Sequence, residues 1–503
     1  MELAKCQEKL GNGYLSAFPE EFFDRLREGN RVWAPYYTLH KILAGHLDMY
    51  AYCNNQQALG TAEKMAGWVG HWCQGLSDAH MQRALNVEHG GMLESLYNLY
   101  SLTGKGMYRF IGDRFTHNAV FDPLAEHRDE LKGLHANTNI PKMIGVARRY
   151  EMTGNSRDRE IADYFWDEVT SQRCYATGGT SNGEHWGGDP GHLAEHLGQY
   201  TEECCCGYNM MKLTRHIFGW SADARAMDYY ERTLWNSRLG TQDEQGRKGY
   251  FLPLASGYWK YYNSQWDSFW CCTGTGIEEF AKFADSIYFH DDRGIWVNLF
   301  IASEVNWPEK GLRLHQETNF PEEGRTALMV RAERPVELAL NIRVPYWATR
   351  GGTVKVNGEI LPAFSSPSSY LTIQRTWKDG DRVDVSMPMS LHIDVMPDDP
   401  SVQAVMYGPI VLAGRLGSQG LTPELTYPGY DTAPKGSATS APDIDNRSED
   451  PLAWIESVQG SPLTFRTAGQ SEKTALTPFY KLSGERYAVY WKVKSPRRGE
   501  RES

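Results

Sequence analysis

Five of the nine cysteines lie in two short blocks, "EECCCGY" at 202–208 and "WCCTGTG" at 270–276, the first led by two glutamates. Thiols clustered in this way can do three things. They can bridge, but adjacent cysteines rarely pair with one another because the linkage is strained, and blocks this short make no disulfide framework. They can hold a metal: thiolates and a carboxylate fill a tetrahedral zinc shell, and Glu203 with one or two of Cys204, Cys205 and Cys206 could meet Cys271 and Cys272. They can also simply pack, since free cysteine is among the residue types most often buried. Spacing alone leaves the last two uses open.

Further reactive side chains occupy polar breaks: His40 in "YYTLHKIL", His89 in "NVEHGG", His135 in "LHANTN" and Glu184 in "SNGEHWGG". A histidine in an aromatic segment is ordinarily a hydrogen-bonded structural residue. A lone glutamate in a glycine-rich loop is ordinarily solvated or a helix cap. Glu202, Glu278 and Glu279 read as helix-end or surface carboxylates, and Cys206 as a residue that packs or stands behind the ligands of a metal.

The elements that must position these groups change character along the chain. Stretches at 43–69, 93–115, 144–169 and 211–239 each show an apolar helix ending in an aromatic, a short polar break and a second helix with apolar residues three and four apart. They recur about every 50 residues, as repeated helical hairpins do. If their polar loops converge at one end, residues 1–290 form a helical toroid with a central pocket. From 291 to 415 the period shortens to that of alternating β-branched strands, with Asn357-Gly358 as a hairpin turn, and the expectation is an antiparallel β-sandwich. Residues 416–450, rich in Pro, Gly, Ser and Asp, read as a linker or long loop. Residues 451–503 read as strands completing a sandwich, followed by the solvated basic tail "SPRRGERES".

Composition narrows the partners. A net charge of -11 argues against nucleic acid, whose phosphates need a basic surface. No apolar run approaches the roughly 20 residues of a membrane span. The first residues have no basic n-region, apolar h-region or cleavage site, so the compartment is left open between cytoplasm and, if the true N-terminus is missing, periplasm or exterior. Sixteen Trp and 28 Tyr suit sugar binding, where rings cover the apolar faces of sugars, as well as a large core.

"EECCCGYNMMKLTRHIF", "SFWCCTGTGIEEF", "LHANTNIPKMIGVARRYEMTG" and "RVPYWA" followed by "VKVNG" together resemble the signature blocks of the β-L-arabinofuranosidases of glycoside hydrolase families 127 and 146. The likeness covers nearly the whole chain, and "CCTGTG" is closer to family 146. It implies an (α/α)6-type toroid followed by β-sandwich, with the N-terminal part of the family's catalytic domain lacking. It implies that Glu203, Cys205, Cys271 and Cys272 hold one Zn2+, that Cys271 is the nucleophile and Glu184 the acid/base of a retaining double displacement, and that His40, His89, His135 and Tyr208 bind sugar. The implied substrate is a plant cell-wall oligosaccharide or arabinosylated glycoprotein, with a homodimer as the possible assembly. Two departures stand out: Cys204, where the family carries Thr or Ser, offers a ligand in the wrong register, and Leu93 replaces a common Asn. The rivals are a catalytically silent zinc-stabilised carbohydrate-binding protein and an inverting glycosidase with two carboxylates.

Overall fold

The computed structural model describes residues 2–429 and 435–494. The basic tail and residues 430–434 of the expected linker lie outside the described residues. Two compact units emerge, one of Met1–Ser171 with His185–Pro190 and one of Gln172–Glu184 with Gly191–Ser503.

The first unit is helical: α1 Glu2–Leu10, α2 Glu21–Arg27, α3 Pro35–Cys53, α4 Gln56–Gln74, α5 Asp78–Leu85, α6 Met92–Thr103, α7 Gly106–Asp113, α8 Asn118–Ala125, α9 Ala136–Thr153 and α10 Ser156–Gln172. Three of the repeats are the hairpins α3/α4, α6/α7 and α9/α10. The fourth, α11 Cys204–Ser221 with α12 Ala224–Thr233, belongs to the second unit. One local device makes all four turns. The first helix stops at a left-handed residue, which frees the chain to reverse: Asn54 (φ 51°), Gly104 (φ 70°), Gly154 (φ 70°) and Ala222 (φ 50°). A polar side chain then captures the opening amides of the next helix in three of them, as Asn55 does for Ala58 and Asp223 for Arg225.

Ala222 is the outlier, because a Cβ in this conformation meets the following carbonyl. Ala222→Gly is therefore expected to raise stability by about 1 kcal/mol, read as a higher urea midpoint at unchanged m-value. A lower midpoint would contradict the strain argument.

In the second unit, α13 (Cys271–Lys282) follows a strand-poor stretch, and a β-region begins at residue 288. Its first ten strands are β1 Tyr288–His290, β2 Gly294–Val297, β3 Ser303–Trp307, β4 Leu312–Thr318, β5 Arg325–Ala332, β6 Val336–Val344, β7 Thr353–Val356, β8 Glu359–Ile360, β9 Ser369–Trp377 and β10 Arg382–Ser386. They form a four-stranded sheet, β1-β2-β6-β9, facing a six-stranded one, β3-β4-β5-β10-β7-β8. Val297, Leu340 and Ile373 from the first meet Leu314, Leu328 and Val383 from the second in one dry core. Asn357 and Gly358, both at positive φ, make the two-residue turn from β7 to β8. One pairing departs from the expected antiparallel order: β2 and β6 run parallel. The chain between them travels through the opposite sheet, and such a crossover is what a parallel pair requires.

A further nine-stranded sheet spans residues 391–494. Along its strand Val402–Tyr407, Ala404 and Met406 enter one core with Tyr175 and Leu254, while Val405 enters another with Trp454 and Trp491. Alternation across the pleat thus buries both faces. The helices of this unit are tied to its strands by charge: Arg343 on β6 is fully buried and meets Asp228 at 2.5 Å and Glu231 at 2.7 Å, both on α12. Among the described residues, no helix is long and apolar enough to cross a membrane.

Candidate active site

Three consecutive cysteines at the start of a helix cannot share a direction. Successive side chains turn by about 100°, and α11 begins at Cys204, so its thiols face three environments. Cys204 Sγ accepts a hydrogen bond from Arg238 Nη2 at 2.8 Å. Cys205 Sγ lies 3.5 Å from Cys272 Sγ and 3.0 Å from Thr275 Oγ1. Cys206 Sγ points back to Glu203 Oε2, 3.6 Å away. The Cys204 sulfur, which could offer a ligand in another register, is turned to a guanidinium.

The residues ahead of α11 are fixed by backbone bonds. Glu202 N–H donates to Ser181 O, Glu203 N–H to Ser181 Oγ and Cys204 N–H to Tyr250 O. Glu203 also bridges to Phe251. The segment 249–252 therefore lies beside the cysteine triplet. On the other side α13 starts at Cys271, so both thiol-bearing helices offer their N-terminal turns, where the helix dipole favours a thiolate.

One carboxylate oxygen of Glu203 and the sulfurs of Cys205, Cys271 and Cys272 all lie within 4.8 Å of one another. Cys271 Sγ and Cys272 Sγ are 3.9 Å apart, and each is 3.9 Å from Glu203 Oε1. A tetrahedron with metal–sulfur bonds of about 2.3 Å has sulfur–sulfur edges of about 3.8 Å. The observed edges and the donor set fit a possible tetrahedral metal site. Of its three cysteines Cys205 and Cys272 are buried, and Cys271 is partly exposed as a residue. Hydrogen bonds from the Cys205 and Cys272 thiols hold the Cys271 thiol below its ordinary range against the opposing effect of burial. Burial pushes the Cys272 and Cys206 thiols up.

Glu184 enters the same site through Tyr250, whose hydroxyl donates to Glu184 Oε1. The same hydroxyl is 3.9 Å from Cys271 Sγ. Ser181 and Glu184 both take left-handed backbone angles, a strain of the kind that collects at functional sites. Tyr250 carries nothing in its sequence context that singles it out among 28 tyrosines. Only its pairing beside Glu203 shows its place.

Tyr208, one turn into α11, gives its hydroxyl to Glu278 Oε1 at 2.9 Å and so links α11 to α13. The carboxylates expected at helix ends or on the surface need correction in two cases. Glu279 is wholly buried because Arg238 Nε meets it at 2.7 Å. Glu202 is buried on the Thr177 hydroxyl, and desolvation pushes its carboxyl up to about 7.

The three histidines stand in the first unit. His40 on α3 packs its ring against Gly90, the residue after His89 before α6, where an added Cβ would collide with that ring and φ is +52°. His89 is buried, and its Nε2 has no hydrogen-bond partner among the described residues. Desolvation and the nearby Lys142 charge keep His89 neutral. Lys142 Nζ meets His117 Nδ1 at 2.9 Å and Asn139 Oδ1 at 3.0 Å, a buried polar group that the spacing of the sequence does not reveal. His135 opens α9, where its Nδ1 accepts from Thr138 N–H, and its ring stands edge-on to His185.

With this geometry in place, the comparisons with known proteins converge. A family model for the catalytic domain of the GH127 β-L-arabinofuranosidases matches residues 1–285, its middle-domain model matches 294–389, and a domain of unknown function matches 392–493. A curated non-reducing end β-L-arabinofuranosidase from Bifidobacterium longum subsp. longum is 22% identical over 295 residues, 53% of this chain. The match spans only 43% of that relative's length. Among solved structures, a GH127 β-L-arabinofuranosidase from Geobacillus stearothermophilus T6 aligns with a TM-score of 0.73 at 18% identity, covering 96% of this chain and 84% of the other. A structure described as a glycoside hydrolase aligns equally well, TM-score 0.73 at 18% identity over 98% of this chain and 87% of its own. At such identities the likeness speaks for the fold, and helices followed by β-sheets accord with the expected (α/α)6-type toroid plus β-sandwich.

Proposed function

Since the chain belongs to the GH127 β-L-arabinofuranosidase family, we propose that it is a retaining glycoside hydrolase removing terminal β-L-arabinofuranosyl groups from plant-type glycans, with Cys271 as nucleophile. The observation that carries this reading is the convergence of Glu203, Cys205, Cys271 and Cys272, with Glu184 joined to Cys271 through one tyrosine hydroxyl.

Glu203, Cys205, Cys271 and Cys272 would hold a zinc ion. When bound, it keeps the sulfurs ionised at neutral pH and fixes their directions. Cys271 is the one cysteine of the set that is not buried. Its sulfur attacks the anomeric carbon, forming a carbon–sulfur bond as the glycosidic carbon–oxygen bond breaks. Glu184 gives its proton to the departing oxygen. It then takes a proton from water, which attacks the same carbon and returns the electron pair to sulfur. Two inversions leave the anomeric configuration retained. Tyr250 orients the Glu184 carboxyl by donating to it, and its hydroxyl oxygen stands beside the Cys271 sulfur. His40, His89 and His135 are proposed to bind sugar hydroxyls, the unpartnered Nε2 of His89 being suited to one. Tyr208 is proposed to act by holding the two thiol-bearing helices together.

The substrate proposed is a terminal β-L-arabinofuranosyl group on a plant cell-wall oligosaccharide or arabinosylated glycoprotein. Purified protein assayed for bound metal and for hydrolysis of 4-nitrophenyl β-L-arabinofuranoside tests the reading. One zinc per chain is expected, with activity lost to a chelator and restored by Zn2+. Protein that binds no metal, or that hydrolyses the glycoside equally well without it, would contradict the proposal.

A further inference from the structure

We propose that Arg238, Glu279 and Lys248 form a buried ionic clamp that sets the spacing of α11 and α13, and that Arg238 is thereby a positioning residue for the metal centre. The proposal rests on the metal site proposed above and concerns the groups behind it.

The observation is a set of charges with no solvent to stabilise them. Arg238 and Glu279 are 0% exposed and Lys248 is 4% exposed. Arg238 stands at the end of a π-helical turn, Leu234–Arg238. Turns of this kind are rare and re-aim a side chain by inserting one residue into the helical cycle. From there its guanidinium reaches both thiol-bearing helices at once. Nη2 donates to Cys204 Sγ at 2.8 Å, the residue before the candidate ligand Cys205, and Nε donates to Glu279 Oε2 at 2.7 Å. Glu279 lies seven residues after Cys272, two turns along the same face of α13. The Cys204 thiol also points at Cys272 O, 3.7 Å away. One rigid, planar side chain therefore fixes the distance between the turns that carry Cys205 and Cys272, as a guanidinium fork can and an ammonium cannot.

Lys248 supplies the third arm. Its Nζ is 3.6 Å from the second oxygen of Glu279 and 3.0 Å from Gln242 Oε1. It precedes Tyr250 by two residues, so the clamp also anchors the segment whose tyrosine touches Glu184 and Cys271. Buried ion pairs of this sort give no stability beyond that of a well-packed apolar core, and their attested use is to specify one arrangement.

Two glycines of the cysteine blocks make way for these cations. A Cβ on Gly207 would come 3.3 Å from Arg238 Cδ and 3.2 Å from Ser237 Oγ. A Cβ on Gly276 would strike the Lys248 stem, 2.6 Å from Cγ, 2.7 Å from Cδ and 2.9 Å from Cε. Gly274, two residues away in α13, has nothing within 4 Å of such a Cβ. The two glycines of "TGTG" thus differ in purpose, and that difference supplies the control.

The test uses Co2+ as a spectroscopic probe of the whole protein, read by the thiolate-to-cobalt absorption bands and by competition with a chelator, with a thermal melt run in parallel. Gly276→Ala, Cys204→Ala and Arg238→Met are expected to weaken Co2+ binding by about 10- to 100-fold, as loss of groups supporting metal ligands does, and to shift the bands. Gly274→Ala is expected to leave affinity and spectrum unchanged. If Arg238→Met does not fold, Gly276→Ala and Cys204→Ala carry the test, since both change only a few atoms. Variants that melt lower yet bind Co2+ with unchanged affinity and bands would mark a purely structural cluster and overturn the clamp. A wild-type protein that takes up no Co2+ would instead overturn the metal site on which the clamp rests.

Discussion

Cys271→Ala is expected to lower kcat/KM for an arabinofuranoside by about 10^4-fold or more, as loss of a covalent nucleophile does. That corresponds to roughly 5 kcal/mol of transition-state stabilisation. The expectation follows from the unequal standing of the four candidate ligands. Cys205 and Cys272 are buried, whereas Cys271 is partly exposed and its sulfur stands 3.9 Å from the Tyr250 hydroxyl. Deleting that sulfur removes the attacking atom and leaves the buried pair, at 3.5 Å, and Glu203 in place. Cys205→Ala acts differently: it removes a sulfur that no substrate can reach, so its loss of activity is expected to follow loss of metal. The two variants are separated by metal analysis at equal protein concentration. Retained hydrolysis by Cys271→Ala would rule out its role and favour an inverting reaction by two carboxylates.

Glu184→Gln is expected to lower kcat by about 10^2- to 10^4-fold, the range of a positioned acid–base group, with metal content unchanged. Its amide keeps a hydrogen bond with Tyr250 but cannot exchange a proton. The signature is dependence on the leaving group. A dinitrophenyl glycoside departs without protonation, so the first step recovers and the second, which needs water deprotonated, becomes limiting. The sugar then accumulates on sulfur. A small anionic nucleophile such as azide, needing no base, is expected to restore turnover. Equal losses for all leaving groups, with no rescue, would assign Glu184 to binding.

How much of this was legible in the sequence depends on the range of the interaction. The helical hairpins follow from local periodicity and from turn residues such as Gly104 and Gly154, and the β7–β8 turn follows from Asn357-Gly358. The "EECCCG" and "CCTGTG" blocks open the two helices whose thiols come together, and where residue types alone left the triplet undivided, helical rotation assigns Cys204 to Arg238 and Cys205 to Cys272. Groups that depend on distant partners were not legible. Glu279 looks like any helix carboxylate until Arg238, 41 residues earlier, is seen against it. Tyr250 is ordinary until backbone bonding places it beside Cys204. The parallel β2–β6 pair is set by the path of the intervening chain rather than by any residue in either strand.

The reactive atom proposed is the sulfur of Cys271. Glu184→Gln protein mixed with dinitrophenyl β-L-arabinofuranoside, quenched in acid, digested and analysed by mass spectrometry, tests it most directly. One pentosyl group is expected on the peptide containing residues 271 and 272, with fragmentation placing it on Cys271, and no such adduct in the Cys271→Ala background. A sugar found on a carboxylate, or an adduct that forms equally on the Cys271→Ala protein, rules that sulfur out.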